Sequence, residues 1–182
     1  VYVSPMGSNN NDGLSPESPL QNIKYAMSLI GPTPDNPITI HLLPGEYSSI
    51  SNAEDFPLTL FDNLILSGTD PKSTIINGAG TQNIFAINYI MNAGIQNVTV
   101  TGAIDSAFLI DSCYSIELRN CAITGNEGEH GAGALFIDST SRIIDCDIHD
   151  NAGEAGGAVY SSQSNLLIED CRLGNNRATK AG

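Results

Sequence analysis

The chain has 182 residues, enough for one domain with a real core. Hydrophobic residues make up 41% and charged ones 15%, which excludes a disordered chain, while seven Lys plus Arg against twenty Asp plus Glu leave a formal charge of -13 that repels nucleic-acid phosphates and anionic lipid. No run approaches the roughly 18 apolar residues of a membrane helix, so neither nucleic-acid binding nor membrane insertion of this segment is expected.

The first predicted element is a short strand from Val1 to Ser4. Ser8-Asn9-Asn10-Asn11-Asp12-Gly13 imitates half of a calcium-binding EF-hand loop, but with a single carboxylate and Pro19 where a bidentate Glu belongs it reads as an Asx-rich turn. A helix follows, with Ser18 as N-cap, Pro19 in the first position, and Leu20, Ile23, Met27 and Ile30 at helical spacing until Gly31-Pro32 stops it. Residues 1–37 are thus a strand, a loop and a helix that caps the end of whatever follows, and residues 38–182 are the body. Ile38 to Leu43, Leu58 to Leu66 and Thr74 to Asn77 are its first, irregular strands, with Pro44-Gly45, Asp62-Asn63 and Asn77-Gly78 as corners.

Beyond these the chain repeats. Ile95-Gln96-Asn97-Val98-Thr99-Val100, Leu118-Arg119-Asn120-Cys121-Ala122-Ile123, Ile143-Ile144-Asp145-Cys146-Asp147-Ile148 and Ile168-Glu169-Asp170-Cys171-Arg172-Leu173 share one pattern and begin 23, 25 and 25 residues apart. Asn126, Asn151 and Asn176 recur at the same interval of 25, and strand-like runs at Ala107 to Ile110, Ala134 to Ile137 and Ala158 to Tyr160 lie between. No period holds an uninterrupted helical stretch, and a propeller blade needs roughly 40 residues. The fold class is therefore all-β: a right-handed single-stranded parallel β-helix, a solenoid of about 24 residues and three short strands per turn, with successive turns about 4.8 Å apart. Asn97, Asn120, Asp145 and Asp170 are expected at a tight left-handed bend. Cys121, Cys146 and Cys171 should form an interior stack of free thiols, since parallel in-register side chains rarely reach disulfide torsions. The copy with Val98 implies that this position also accepts Val.

The opening, from Tyr2-Val3-Ser4-Pro5 through Asp12-Gly13-Leu14-Ser15-Pro16-Glu17-Ser18-Pro19, together with Leu43-Pro44-Gly45-Glu46-Tyr47, resembles secreted right-handed β-helix proteins of the pectate-lyase-like superfamily. Gly156-Gly157-Ala158-Val159, Gly133-Ala134-Leu135-Phe136 and the runs ending in Asn126, Asn151 and Asn176 are similar to the repeats of polymorphic outer-membrane proteins, with Ile or Leu where those repeats place Phe. These resemblances imply an extracellular or cell-surface, outer-membrane-associated protein. They also imply either a structural and adhesive, passenger-like role or a polysaccharide lyase or glycoside hydrolase. Lyases of this scaffold use calcium-binding acids and a base, whereas hydrolases use a carboxylate pair about 5–9.5 Å apart.

Glu127, Glu129, His130, His149, Asp150, Glu154 and Arg177 are expected on one side of successive turns, and Glu129, His130, His149, Asp150 and Glu154 are the candidate catalytic residues, a His near carboxylates being able to act as base. Asp145 and Asp170, one turn apart, are the candidate metal ligands, with Ca2+ as the possible cofactor and none other expected. Asp147 with Arg172, and Glu117 beneath Arg142, read as surface ion pairs. The absence of Trp weakens any sugar-stacking cleft, and the adhesive reading is favoured over the enzymatic one. The partners expected are a polysaccharide or cell-surface ligand, and further β-helix repeats or end-to-end self-association beyond Gly182, because the last residues mirror those preceding Gly156 one turn earlier.

Overall fold

A computed structural model describes residues 1–181; Gly182, where the body is expected to end, lies outside the described residues. The chain winds as a parallel β-coil. It opens with β1 (Tyr2–Val3), α1 (Ile23–Ser28), β2 (Ile38–Leu42), β3 (Gly45–Tyr47), β4 (Leu64–Gly68) and β5 (Thr74–Asn88). There follow β6 (Ala93–Gln96), β7 (Thr99–Asp111), β8 (Ile116–Arg119), β9 (Ala122–Thr124), β10 (Glu127–His130) and β11 (Ala134–Ile137). The last strands are β12 (Thr140–Ile144), β13 (Asp147–His149), β14 (Ala152–Ala155), β15 (Val159–Ser162), β16 (Asn165–Glu169), β17 (Arg172–Gly174) and β18 (Arg177–Ala181).

These stack into a seven-stranded sheet, β1-β2-β4-β6-β8-β12-β16, a three-stranded sheet, β10-β14-β18, and a branched sheet holding the rest. The branched sheet forks because β7 passes two corners: Thr99 and Val100 pair with β9, and Phe108 to Asp111 pair with β11. Each later turn therefore has four strand segments where three were expected. The missed one is the polar set Glu127–His130, Ala152–Ala155 and Arg177–Ala181, which carries no apolar alternation.

Aliphatic rows fill the coil. Ile40, Leu66, Ile95, Leu118 and Ile143 stack from turn to turn inside the seven-stranded sheet, as do Ile76, Val100, Ile123 and Ile148 inside the branched one. Phe85 and Phe108 stack with centroids 4.9 Å apart. Each corner turns on one left-handed residue. Asn97, Asn120, Asp145 and Asp170 have φ of 60, 47, 54 and 52°, as their pattern predicted, while Ser112, Asp138 and Gln163 repeat the device at another corner with 54, 46 and 52°, and Gly125, Asp150 and Asn175 at a third with 64, 56 and 55°.

The residue after each such bend points inward and solves a backbone problem. Where the ladder breaks at a corner, a buried N–H loses its strand partner and must find another acceptor. Asn126 N–H donates to Asn151 Oδ1 at 3.1 Å and Asn151 N–H to Asn176 Oδ1 at 3.1 Å. Cys113 N–H and Ser139 N–H find Ser139 Oγ and Ser164 Oγ, both at 3.0 Å. In the third column Cys121 N–H and Cys146 N–H point to the sulfurs of Cys146 and Cys171, each at 3.4 Å. All four cysteines are free. The sulfur is thus an acceptor as well as a filler, so Val at Cys146 would leave Cys121 N–H unpaired, a cost the Val98 copy did not reveal.

The helix is shorter than its spacing predicted. Leu20 stays extended and bridges Val3, so α1 begins four residues after Pro19, at Ile23, and Ser18 does not cap it. Glu54 does so from 31 residues away: its carboxylate accepts Ile23 N–H at 2.7 Å and Lys24 N–H at 3.0 Å. Glu54 is only 3% exposed, and burial pushes its carboxyl pKa up despite those donors. Among the described residues no helix is long and apolar enough to cross a membrane.

Candidate functional site

The three-stranded sheet gathers most of the candidate side chains. Register places Glu127, Ala152 and Arg177 in one row across β10, β14 and β18. Side chains alternate along a strand, so Glu129 and Glu154, two residues further on, share that outward face one turn apart, about 4.8 Å. Gly128 and Gly153 lie between the rows. A Cβ on Gly128 would stand 1.4 Å from the Asp105 carbonyl oxygen, so the sheet lies tight against β7 and its face is a shallow trough lined by Glu127, Glu154, Arg177 and Thr179. Lys180 ion-pairs with Glu154, and that bond, with Glu129 nearby, raises the pKa of its ammonium group. Carboxylates and cations on one accessible face can bind hydroxyl-rich ligands or exchange protons with them.

The histidines stand apart from this face. His149 ends β13 at the corner before β14, where its Nδ1 lies 2.7 Å from Asp150 Oδ2 and 3.1 Å from Thr124 Oγ1. That contact holds the Asp150 carboxyl below its ordinary pKa. His130 ends β10 and meets the ring of Tyr160 edge-on at 5.3 Å. Among the described residues no hydrogen bond or ion pair links either histidine to Glu129 or Glu154. The structure therefore divides the expected cluster into a carboxylate trough, a His149–Asp150 corner and a His130–Tyr160 contact.

Asp145 and Asp170 occupy the outer bend, and Arg119 Nη1 lies 3.5 Å from Asp145 Oδ2. Among the described residues no three His, Cys, Asp or Glu side chains are placed to hold a metal ion together. Arg119 also donates to Glu117 at 2.8 Å, while Arg142 lies 3.5 Å from Glu117 and 3.6 Å from Glu169. The expected pairs Glu117–Arg142 and Asp147–Arg172 are present, the latter at 3.7 Å. All are over a third exposed on at least one side chain and contribute little to stability. Sequence reasoning missed Arg119 and Lys180, whose partners in space follow only from the register. In the opening loop Asp12 Oδ1 accepts Leu14 N–H and Asn9 Oδ1 accepts Gln21 and Asn22 N–H, the behaviour of an Asx-rich turn.

Among solved structures the chain is similar to pectin methylesterase PemA from Erwinia chrysanthemi, with a TM-score of 0.67, 17% identity, and coverage of 98% of this chain and 56% of that one. It is similar also to a pectin methylesterase in complex with hexasaccharide VII, at TM-score 0.58 and 14% identity over 98% of this chain and 67% of that one. A rhamnogalacturonan lyase matches at TM-score 0.54 and 13% identity over 94% of this chain and 50% of that one. At such identities the likeness is one of fold, and the chain spans 56% of the length of PemA. No curated protein sequence matches it. Residues 72–182 match the family described as right handed beta helix region, and with the parallel coil they fill, the chain belongs to the right-handed β-helix family.

Proposed function

We propose that this chain is a carbohydrate-binding scaffold, a stiff secreted or cell-surface β-helix segment that holds a neutral polysaccharide along the outer face of its three-stranded sheet in an adhesive, passenger-like role. The observation that carries this reading is the trough, where Glu127, Glu129, Glu154 and Arg177 present charged hydrogen-bonding groups over a glycine floor on a rigid ladder. The fold neighbours support the ligand class, since their names place them on pectin, rhamnogalacturonan and a hexasaccharide. Charge narrows it. With a net -13, and with Lys180 already paired to Glu154, a polyanionic glycan meets repulsion and a neutral or esterified one does not.

Calorimetric titration of the chain with neutral hexasaccharides and with oligogalacturonate tests this. The neutral ligands should bind, Arg177→Ala should weaken them at least tenfold, and failure of every neutral glycan to bind would reject the reading. Catalysis is the second reading, favoured by the proximity of Glu127, Glu154 and Arg177 on one face. Release of methanol, new reducing ends or unsaturated ends that disappears in Glu127→Gln and Glu154→Gln would assign it. Calcium at the Asp145–Asp170 bend is tested by melts with calcium and with chelator, in which a difference lost in Asp145→Asn would place the ion there.

A further inference from the structure

The outer face of the seven-stranded sheet carries a row that climbs one residue per turn: Ile65, Gly94, Glu117, Arg142 and Leu167. Gly94 is its gap. A glycine inside a strand weakens it and leaves nothing to pack, so it usually answers a demand of the backbone. Gly128 is held to glycine by the Asp105 backbone. Gly94 has no such constraint. Its φ lies outside the left-handed region, and a Cβ there would meet the Glu117 carbonyl oxygen at 3.6 Å and Ile65 Cγ1 at 3.8 Å, ordinary van der Waals contacts.

The missing side chain opens a cavity of about 190 Å³, bounded by Ile65, Asn92, Gln96, Ser115, Glu117 and Arg119. That is smaller than the roughly 300 Å³ at which drug-sized pockets begin, and suits a single ring. Ile65 gives it an apolar wall. Gln96 uses its Nε2 on Ser67 Oγ at 3.1 Å, which leaves its carbonyl oxygen to accept, and Glu117 is a second acceptor. Arg119 already shares its charge with the carboxylates of Glu117 and Asp145, which weakens its pull on a ligand carboxylate.

We propose that the Gly94 notch binds one neutral pyranose ring, its C–H face against Ile65 and its hydroxyls donating to Gln96 and Glu117, as a second glycan contact on a flank separate from the trough. This rests on the carbohydrate reading given above. Calorimetry of the chain with neutral hexasaccharides of glucose, galactose, mannose and xylose should give two binding events per chain, one lost in Arg177→Ala and the other in Gly94→Val. Gly94→Val should also melt about 2–4 °C higher, because a β-branched side chain fills an unstrained strand position, and Gly94→Ala should weaken the same event less. A single event lost only in Arg177→Ala overturns the notch and keeps the trough, whereas one lost only in the Gly94 variants keeps the notch and removes the trough. No binding by any hexasaccharide overturns both, and a lower melting temperature in Gly94→Ala would show that the glycine serves the fold and overturn the notch.

Discussion

Truncating Asn151 to Ala removes the middle of the interior asparagine column. Its Oδ1 is the acceptor for Asn126 N–H at 3.1 Å and for Asn126 Nδ2 at 3.0 Å, and its own Nδ2 donates to the Ile123 carbonyl at 2.9 Å and to Asn176 Oδ1 at 3.0 Å. Asn126 Nδ2 keeps the carbonyls of Val100 and Thr124, and Asn176 Oδ1 keeps Asn151 N–H. Asn126 N–H keeps nothing. One orphaned buried donor costs about 1–3 kcal/mol and each of the other lost bonds about 1 kcal/mol, so Asn151→Ala should destabilise the coil by about 3 kcal/mol or more. At about 2–4 °C per kcal/mol for a chain of this size, melting should fall by about 6–12 °C. Asn120 is the control: it is exposed, gives one hydrogen bond to Asn97 Oδ1 at 2.8 Å, and its φ of 47° makes conformation its main duty. Asn120→Ala should cost about 1 kcal/mol and Asn120→Gly almost nothing. Urea unfolding of the three variants decides the matter, and an Asn151→Ala cost no larger than that of Asn120→Ala would refute the claim that these columns rescue corner N–H groups.

Glu54 has a folded pKa raised by burial, so its protonated form favours the fold: that contribution is complete below the ordinary Glu value and is lost as pH rises through the folded one. The stability gap between the wild type and Glu54→Gln, followed by urea unfolding against pH, should therefore shrink from acid toward neutral pH, and a gap that widens would contradict the sign. Cys171 is the least buried thiol, so a thiol reagent should modify it before Cys113, Cys121 and Cys146, which should wait for denaturation; equal rates would disprove the register. Cys146→Ser keeps an acceptor for Cys121 N–H and Cys146→Val does not, so Val should be the more destabilising by about 1 kcal/mol in the same unfolding assay. Ser141 Oγ is buried without a partner in a row whose neighbours are Ile116 and Leu166, and Ser141→Ala should raise stability by about 1 kcal/mol, a gain that a drop in urea midpoint would deny.

The period was readable because corners and core speak through residue type. The Asn, Asp and Cys positions recur at the interval by which the strands pair, Ile143 with Ile168 and Ile148 with Leu173. Strands β10 and β14 were not readable, because Glu127-Gly128-Glu129-His130 and Ala152-Gly153-Glu154-Ala155 bury almost nothing large and their extended state is imposed by the turns on either side. Nor was the true helix cap, whose donor and acceptor lie 31 residues apart. The candidate site was half visible: Glu127, Glu129 and Glu154 sit on one face as their spacing implied, but Asp150 forms the left-handed bend after β13 and stays with His149 at that corner, and His130 at the end of β10 packs on Tyr160 instead.

What hid the Gly94 notch was the same principle that made the coil visible. In a solenoid each turn meets only its neighbours, so the setting of a residue is fixed about one period away in the chain, here by Ile65 on one side and Glu117 on the other. The interior repeats its solution from turn to turn because every turn meets the same backbone problem, and repetition is what a single sequence exposes. The outer faces have no shared problem: their ion pairs are exposed and stabilise little, so side chains there can change without cost to the fold. Function on this scaffold therefore belongs where the repeat is broken without a structural reason. By that criterion Gly94, which could carry a side chain and does not, is a sharper marker than the charged corners, whose polarity the solvent alone explains.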